Sequence, residues 1–171
     1  GSSRSAASRA QSVKRDLPGP ESTARFAEIL CKVLPADTAG WTLLLEGELG
    51  AGKSTFARAL IHALGHDGAV PSPTYTLVEP YDLPGRVIYH IDLYRVVEES
   101  ELRYLGWTDL EEGLRLVEWP DRAPGLASLA DLRLRLEYAG PGRAATLDGL
   151  SDRGRALVAA LEAFSDTEPK D

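Results

Sequence analysis

Between Leu43 and Thr55 the chain reads LLLEGELGAGKST: an apolar run, then glycines at 47, 50 and 52, then a lysine and two hydroxyls. Glycine gives up the most backbone freedom on folding, so this density marks a loop needing unusual backbone angles or a ligand pressed against the main chain. Gly47 to Ser54 follow G-x-x-x-x-G-K-[ST], a pattern with a mechanism when it joins a strand to a helix. Successive backbone N–H groups then curl around a phosphate, and the helix N-terminus adds the positive end of its dipole. Lys53 brings a cation to the β- and γ-phosphates, and the Ser54 hydroxyl can ligate Mg²⁺. The chemistry on offer is polyphosphate binding by Gly47, Glu48, Leu49, Gly50, Ala51, Gly52, Lys53, Ser54 and Thr55.

Such a loop specifies a nucleotide, not a reaction. Carboxylates are needed to hold Mg²⁺ and to set up a nucleophile. Asp92 closes the apolar run VIYHID and Glu118 closes LRLVE, so each acid stands at a strand tip where it can face phosphates. The hydroxyls of Ser72, Thr74 and Thr76 lie on the proline-stiffened segment PSPTYT, which can sense a γ-phosphate as switch loops do. His90 sits mid-strand near the same end, where a structural, hydrogen-bonded histidine is the commoner outcome and a role next to the phosphates the alternative. Trp119 follows Glu118 and either packs over the site or ends a core strand.

The elements that must position these residues follow from periodicity. Phe26, Ile29, Leu30 and Val33 recur at helical spacing and predict a helix over Glu21 to Leu34. WTLLLEG reads as a short, fully buried strand. A second helix starts near Lys53, buries Phe56, Ala57, Leu60, Ile61 and Leu64, and ends at Gly65. TYTLVEPYD and RVIYHIDLY, separated by LPG, predict an antiparallel hairpin. LRLVEWP is a further strand, and LRLRLEY alternates leucine with charge, as a strand with one wet face does. PGRAATLDG is the last strand. Ser151 caps a final helix whose buried stripe is Leu157, Ala160, Leu161 and Phe164. The expected fold is α/β: a P-loop NTPase-like mixed sheet with an antiparallel hairpin, flanked by helices.

A chain of 171 residues suits one domain of this kind. Residues 1–18 read as a disordered, tag-like polar tail, 19–165 as a single P-loop ATPase domain, and 166–171 as a second disordered tail. The formal net charge of −7 argues against a protein that grips nucleic acid alone, because that affinity comes from lysine and arginine neutralising phosphates. One cysteine, Cys31, excludes an internal disulfide. No apolar run is long enough to cross a bilayer, which together with the cysteine count predicts a cytoplasmic protein without a membrane partner.

GELGAGKST, SPTYTLVEPY, HIDLYR and LVEWPDR, in this order, resemble the TsaE (YjeE) family. These are bacterial P-loop ATPases that support synthesis of threonylcarbamoyladenosine (t6A) on tRNA. The resemblance runs from about Glu21 to the final helix. It implies binding and hydrolysis of ATP with Mg²⁺, at low intrinsic rate, and partners TsaB and TsaD, with tRNA met only through the complex. Carried onto this chain, it implies that Ser54 and Glu118 hold Mg²⁺ and that Asp92 serves the hydrolytic step with Lys53 and Thr74. It implies too that Trp119 lies beside the acidic ligand and that Arg143 meets the adenine end or the phosphates. Where the family commonly has Asp and Thr, this chain has Glu48 and Ser54, which keep the functional groups. Two other functions fit a P-loop. A small-molecule kinase needs an arginine-bearing lid that excludes water, and RYLGWTDLEEG is acidic instead. A nucleotide-dependent scaffold uses the same loop without turnover, and only a turnover assay separates it from an ATPase.

Overall fold

The computed structural model describes residues 11–48, 50–103 and 106–167. Seven strands form one mixed sheet in the order β1-β7-β6-β2-β5-β4-β3. They are β1 (Ser12–Leu17), β2 (Thr42–Gly47), β3 (Val78–Leu83), β4 (Arg86–Asp92), β5 (Leu114–Glu118), β6 (Leu132–Ala139) and β7 (Gly142–Gly149). The middle four, β6-β2-β5-β4, run parallel, and antiparallel pairs close both flanks: β3 on β4, and β1 and β6 on β7. The expected mixed sheet with a hairpin is therefore present, and a second antiparallel flank extends it.

Three helices, α1 (Pro20–Val33), α2 (Lys53–Ala63) and α3 (Asp152–Thr167), pack on one face of the sheet. Leu43, Leu45, Leu114, Leu116 and Ile88 on the strands meet Phe56, Ala57, Leu60 and Ile61 on α2. Burying side chains such as Phe56 or Leu60 contributes about 1.5–3 kcal/mol each, which fixes α2 and hence the loop before it. The opposite face is covered only in its centre, where Leu44, Tyr89, Ile91 and Val117 lie under Leu93 and Val96 of the loop after β4 and Leu110 and Leu126 of short 3₁₀ segments. Beyond that cover, on β6, the alternation holds: Leu132, Leu134 and Leu136 are buried while Arg133 and Arg135 point outward. The two arginines share Asp148 of β7, each at 3.3 Å, so this face is ion-paired rather than merely solvated.

Several expectations need correction. The polar tail assigned to the first eighteen residues instead contains β1, whose alternation buries Val13 and Leu17 and exposes Ser12, Lys14 and Asp16. An edge strand buries only one face, so two apolar side chains suffice. Strand β3 starts at Val78, because Leu77 takes a φ of 70° and its N–H bonds back to the Pro73 carbonyl at 2.7 Å, making a turn of what reads as extended chain. On α3, Val158 replaces Ala160 in the buried stripe. Ser151 caps that helix as expected, accepting from the Gly154 N–H at 3.0 Å. Among the described residues, no helix is long and apolar enough to cross a membrane.

Candidate functional site

Strand β2 delivers the glycine loop between its parallel neighbours β5 and β6. At Gly47 the chain passes so close to β6 that a Cβ would stand 2.6 Å from the Leu136 carbonyl oxygen, so glycine alone fits. Ala51 N–H bonds to Glu48 O at 3.0 Å and closes the turn. Arg143 reaches from β7 to donate to Gly50 O at 3.1 Å and stacks on Tyr138. Gly52 then caps α2 with a left-handed φ of 109°, a conformation that favours glycine. No side chain caps this helix and no acid lies in its first turn, so its first N–H groups have no local competitor for an anion.

The acids come from the neighbouring strands. Asp92 of β4 and Glu118 of β5 are register partners, side by side at the C-terminal edge of the parallel strands. Both are buried, 4% and 3% exposed. Ser54 donates to Glu118 Oε1 at 3.2 Å, joining the first turn of α2 to β5. His90 Nε2 lies 2.6 Å from the other oxygen, Oε2. Thr74 donates to Asp92 Oδ2 at 3.1 Å and shares a hydrogen bond with Ser72 at 2.8 Å, while the Tyr94 N–H holds Oδ1 at 2.8 Å. Asp92 N–H bonds to Leu77 O, so the turn before β3 is tied to the same acid by backbone and side chain alike.

Lys53 occupies the middle. Its Nζ donates to Gly47 O at 2.5 Å and sits 3.5 Å from the centroid of the Trp119 ring. Trp119 can reach there because its backbone is left-handed (φ 58°), turning the chain back over the pocket where β5 ends. Burial pushes the Lys53 ammonium below its usual pKa, outweighing the opposite pull of Glu118, Asp92 and Asp121.

These groups line one cavity of about 390 Å³, with Gly50, Gly52, Lys53, Ser54, Thr55, Thr74, Asp92, Glu118 and Trp119 in its wall. The structure thus brings together most of the residues singled out in the sequence. Four stand elsewhere. Gly47 and Glu48 line a separate depression with Glu46 and Tyr138, Ala51 is buried, and Arg143 lines a smaller cavity of about 170 Å³ across the loop. Leu49 lies outside the described residues. The smaller cavity shares Gly50, Gly52 and Thr55 with the larger and is completed by Pro18, Gly19 and Thr23, none of which the sequence reading singles out. Tyr94 was also missed as a site residue. His90, weighed from the sequence as structural or as standing next to the phosphates, shares the Asp92 face of the strand and meets Glu118.

The donor set suits a polyphosphate with a hard cation. A hydroxyl and a carboxylate oxygen already meet at Ser54 and Glu118. Among the described residues no cluster of three or more His, Cys, Asp or Glu forms a metal cage. Mg²⁺ is commonly held in this manner, by one or two protein oxygens with substrate phosphates and waters completing the shell.

Comparison with known proteins points to one family. Residues 17–145 match the family model described as threonylcarbamoyl adenosine biosynthesis protein TsaE. A tRNA threonylcarbamoyladenosine biosynthesis protein TsaE from Haemophilus influenzae is 37% identical over 139 residues, covering 80% of this chain and 87% of its own length. The protein of the same name from Aquifex aeolicus is 39% identical over 108 residues, 62% of this chain and 75% of that one. The crystal structure of Bacillus subtilis YdiB superposes with a TM-score of 0.72 at 27% identity, covering 90% of this chain and 96% of that one.

Proposed function

This chain belongs to the TsaE family, and from that premise we propose that it binds and hydrolyses ATP with Mg²⁺ as a cytoplasmic subunit required for t6A formation on tRNA, acting with TsaB and TsaD. The names of its relatives supply the pathway. The observation that carries the ATPase reading is the convergence of Lys53, Ser54, Thr74, Asp92 and Glu118 on one cavity at an uncapped helix N-terminus.

In this reading the loop N–H groups from Gly50 to Ser54 bind the phosphates, and Lys53 exchanges the Gly47 carbonyl for phosphate oxygens. Ser54 and Glu118 hold Mg²⁺, which neutralises charge on the phosphate oxygens. Asp92 orients the attacking water and takes its proton as the γ-phosphoryl group transfers, giving ADP and phosphate. Thr74, bonded to Asp92, carries the state of the γ-phosphate to the turn ending at Leu77 and so to the surface. A domain of net charge −7 has little means of holding tRNA, so its free energy from ATP passes through protein contact.

The test is steady-state ATP turnover by the isolated chain, by a TsaB–TsaD pair and by all three, alongside t6A formation from tRNA and threonylcarbamoyl-adenylate. Slow hydrolysis alone, clear stimulation by the partners, and loss of sustained modification with non-hydrolysable ATP are expected. ATP binding with no turnover under any condition would instead favour a scaffold. Modification that proceeds equally without this chain would refute the reading.

A further inference from the structure

The sheet face that presents Asp92 and Glu118 also buries His90, which is 2% exposed. His90 lies two residues before Asp92 and pairs with Leu116, one step deeper in the sheet than the Asp92–Glu118 pair. From there Nε2 meets Glu118 Oε2 at 2.6 Å, while Nδ1 finds no hydrogen-bonding group among the described residues. A leucine would fill the same space without orphaning a polar atom, and an orphaned buried polar atom costs free energy. What the imidazole adds is an N–H at a fixed point. Glu118 is held at both oxygens, by His90 from beneath at Oε2 and by Ser54 at Oε1. A carboxylate restrained at both ends has little freedom left to rotate.

We propose that His90 is a positioning residue for the metal: donating from Nε2, it turns Glu118 so that Oε1 stands beside the Ser54 hydroxyl before the cation arrives. The inference rests on the MgATP reading above. Partners of this kind fix the orientation of a ligating group, and their loss typically weakens metal binding by about 10–100-fold. A histidine that only fills the core would affect stability without distinguishing metal-bound from metal-free nucleotide.

The test compares His90→Gln, His90→Asn and His90→Leu with the parent chain. Affinity for ADP is measured by calorimetry in EDTA and in saturating Mg²⁺, with thermal melting as a control. The glutamine amide can place an N–H near the Nε2 position, whereas asparagine is too short to reach Glu118. Asparagine and leucine should lose roughly 10–100-fold of the Mg²⁺-linked gain with metal-free ADP affinity kept, and glutamine should restore most of that gain. An intact Mg²⁺ gain in the asparagine variant overturns the proposal. So does a parallel fall in both affinities, or a glutamine variant no better than asparagine. Should His90→Leu fail to fold, the Gln–Asn comparison decides alone. A parent chain that binds ADP no more tightly with Mg²⁺ overturns the MgATP reading itself, and this inference with it.

Discussion

Replacing Lys53 with methionine should abolish tight ATP binding while leaving the melting temperature unchanged or slightly higher. Methionine keeps the unbranched stem and can still pack on Trp119. What disappears is one positive charge, and its two effects differ in sign. For the ligand, a unit charge about 4 Å from a phosphate oxygen at an effective dielectric constant near 20 is worth roughly 4 kcal/mol. At 1.4 kcal/mol per decade this is about 10³-fold in affinity. For the fold, the direction of the Lys53 shift decides. Its pKa is lowered because desolvation exceeds the attraction of Glu118, Asp92 and Asp121. A lowered lysine pKa means that the charged form is less favourable in the folded chain than in the unfolded one, a cost present below the folded pKa and lifted as pH rises through it. The cation is therefore held for the ligand at the expense of stability, a trade seen at many binding sites. Calorimetric titration with ATP and a thermal melt at pH 7 suffice. A melting temperature lower by more than about 5 °C, which for a domain of this size is over 1 kcal/mol, would show Lys53 to be a structural residue and refute the reasoning. Unchanged ATP affinity would sink the loop assignment.

Asp92 and Glu118 should divide the work although they are register partners: Glu118→Ala should weaken MgATP more than metal-free ATP, with partial rescue by raised Mg²⁺, in paired titrations. Asp92→Asn should bind MgATP nearly normally and turn over at least ~10²-fold more slowly in single-turnover assays, and identical defects in the two variants would contradict this split. Far from the site, Asp131 accepts from Thr42 N–H, Ser151 Oγ and Arg153 Nε, at 3.0, 2.6 and 2.8 Å. Burial alone would raise its pKa, but these partners together hold it below the usual carboxylate value. Its stabilisation is thus present above the unfolded pKa near 3.9 and lost as pH falls through the folded value. Asp131→Asn should cost on the order of 2 kcal/mol at pH 7 and flatten the acid limb of a stability–pH curve from denaturant melts.

Much of the site could be read from the chain because its parts are local. The strand, the glycine loop and the first turn of α2 are contiguous from Thr42 to Thr55, and steric need for glycine is written residue by residue. Asp92 and Glu118 were recognisable as tips of apolar runs, since a strand buried on both faces announces its own end. Helix faces followed from spacing, with small errors such as Ala160 for Val158, where neighbouring positions compete for one stripe. Tertiary structure decided what joins distant segments. Strand β1 has only Val13 and Leu17 to mark it, and its partner β7 lies about 130 residues further along, so nothing local separates it from a polar tail. The sheet order set Asp92 beside Glu118, His90 beneath that pair, and Lys53 against Trp119. The left-handed turns at Leu77 and Trp119 carry no glycine to betray them. Backbone conformations that cost free energy persist only where surrounding contacts hold them, and those contacts exist only once the strands have assembled.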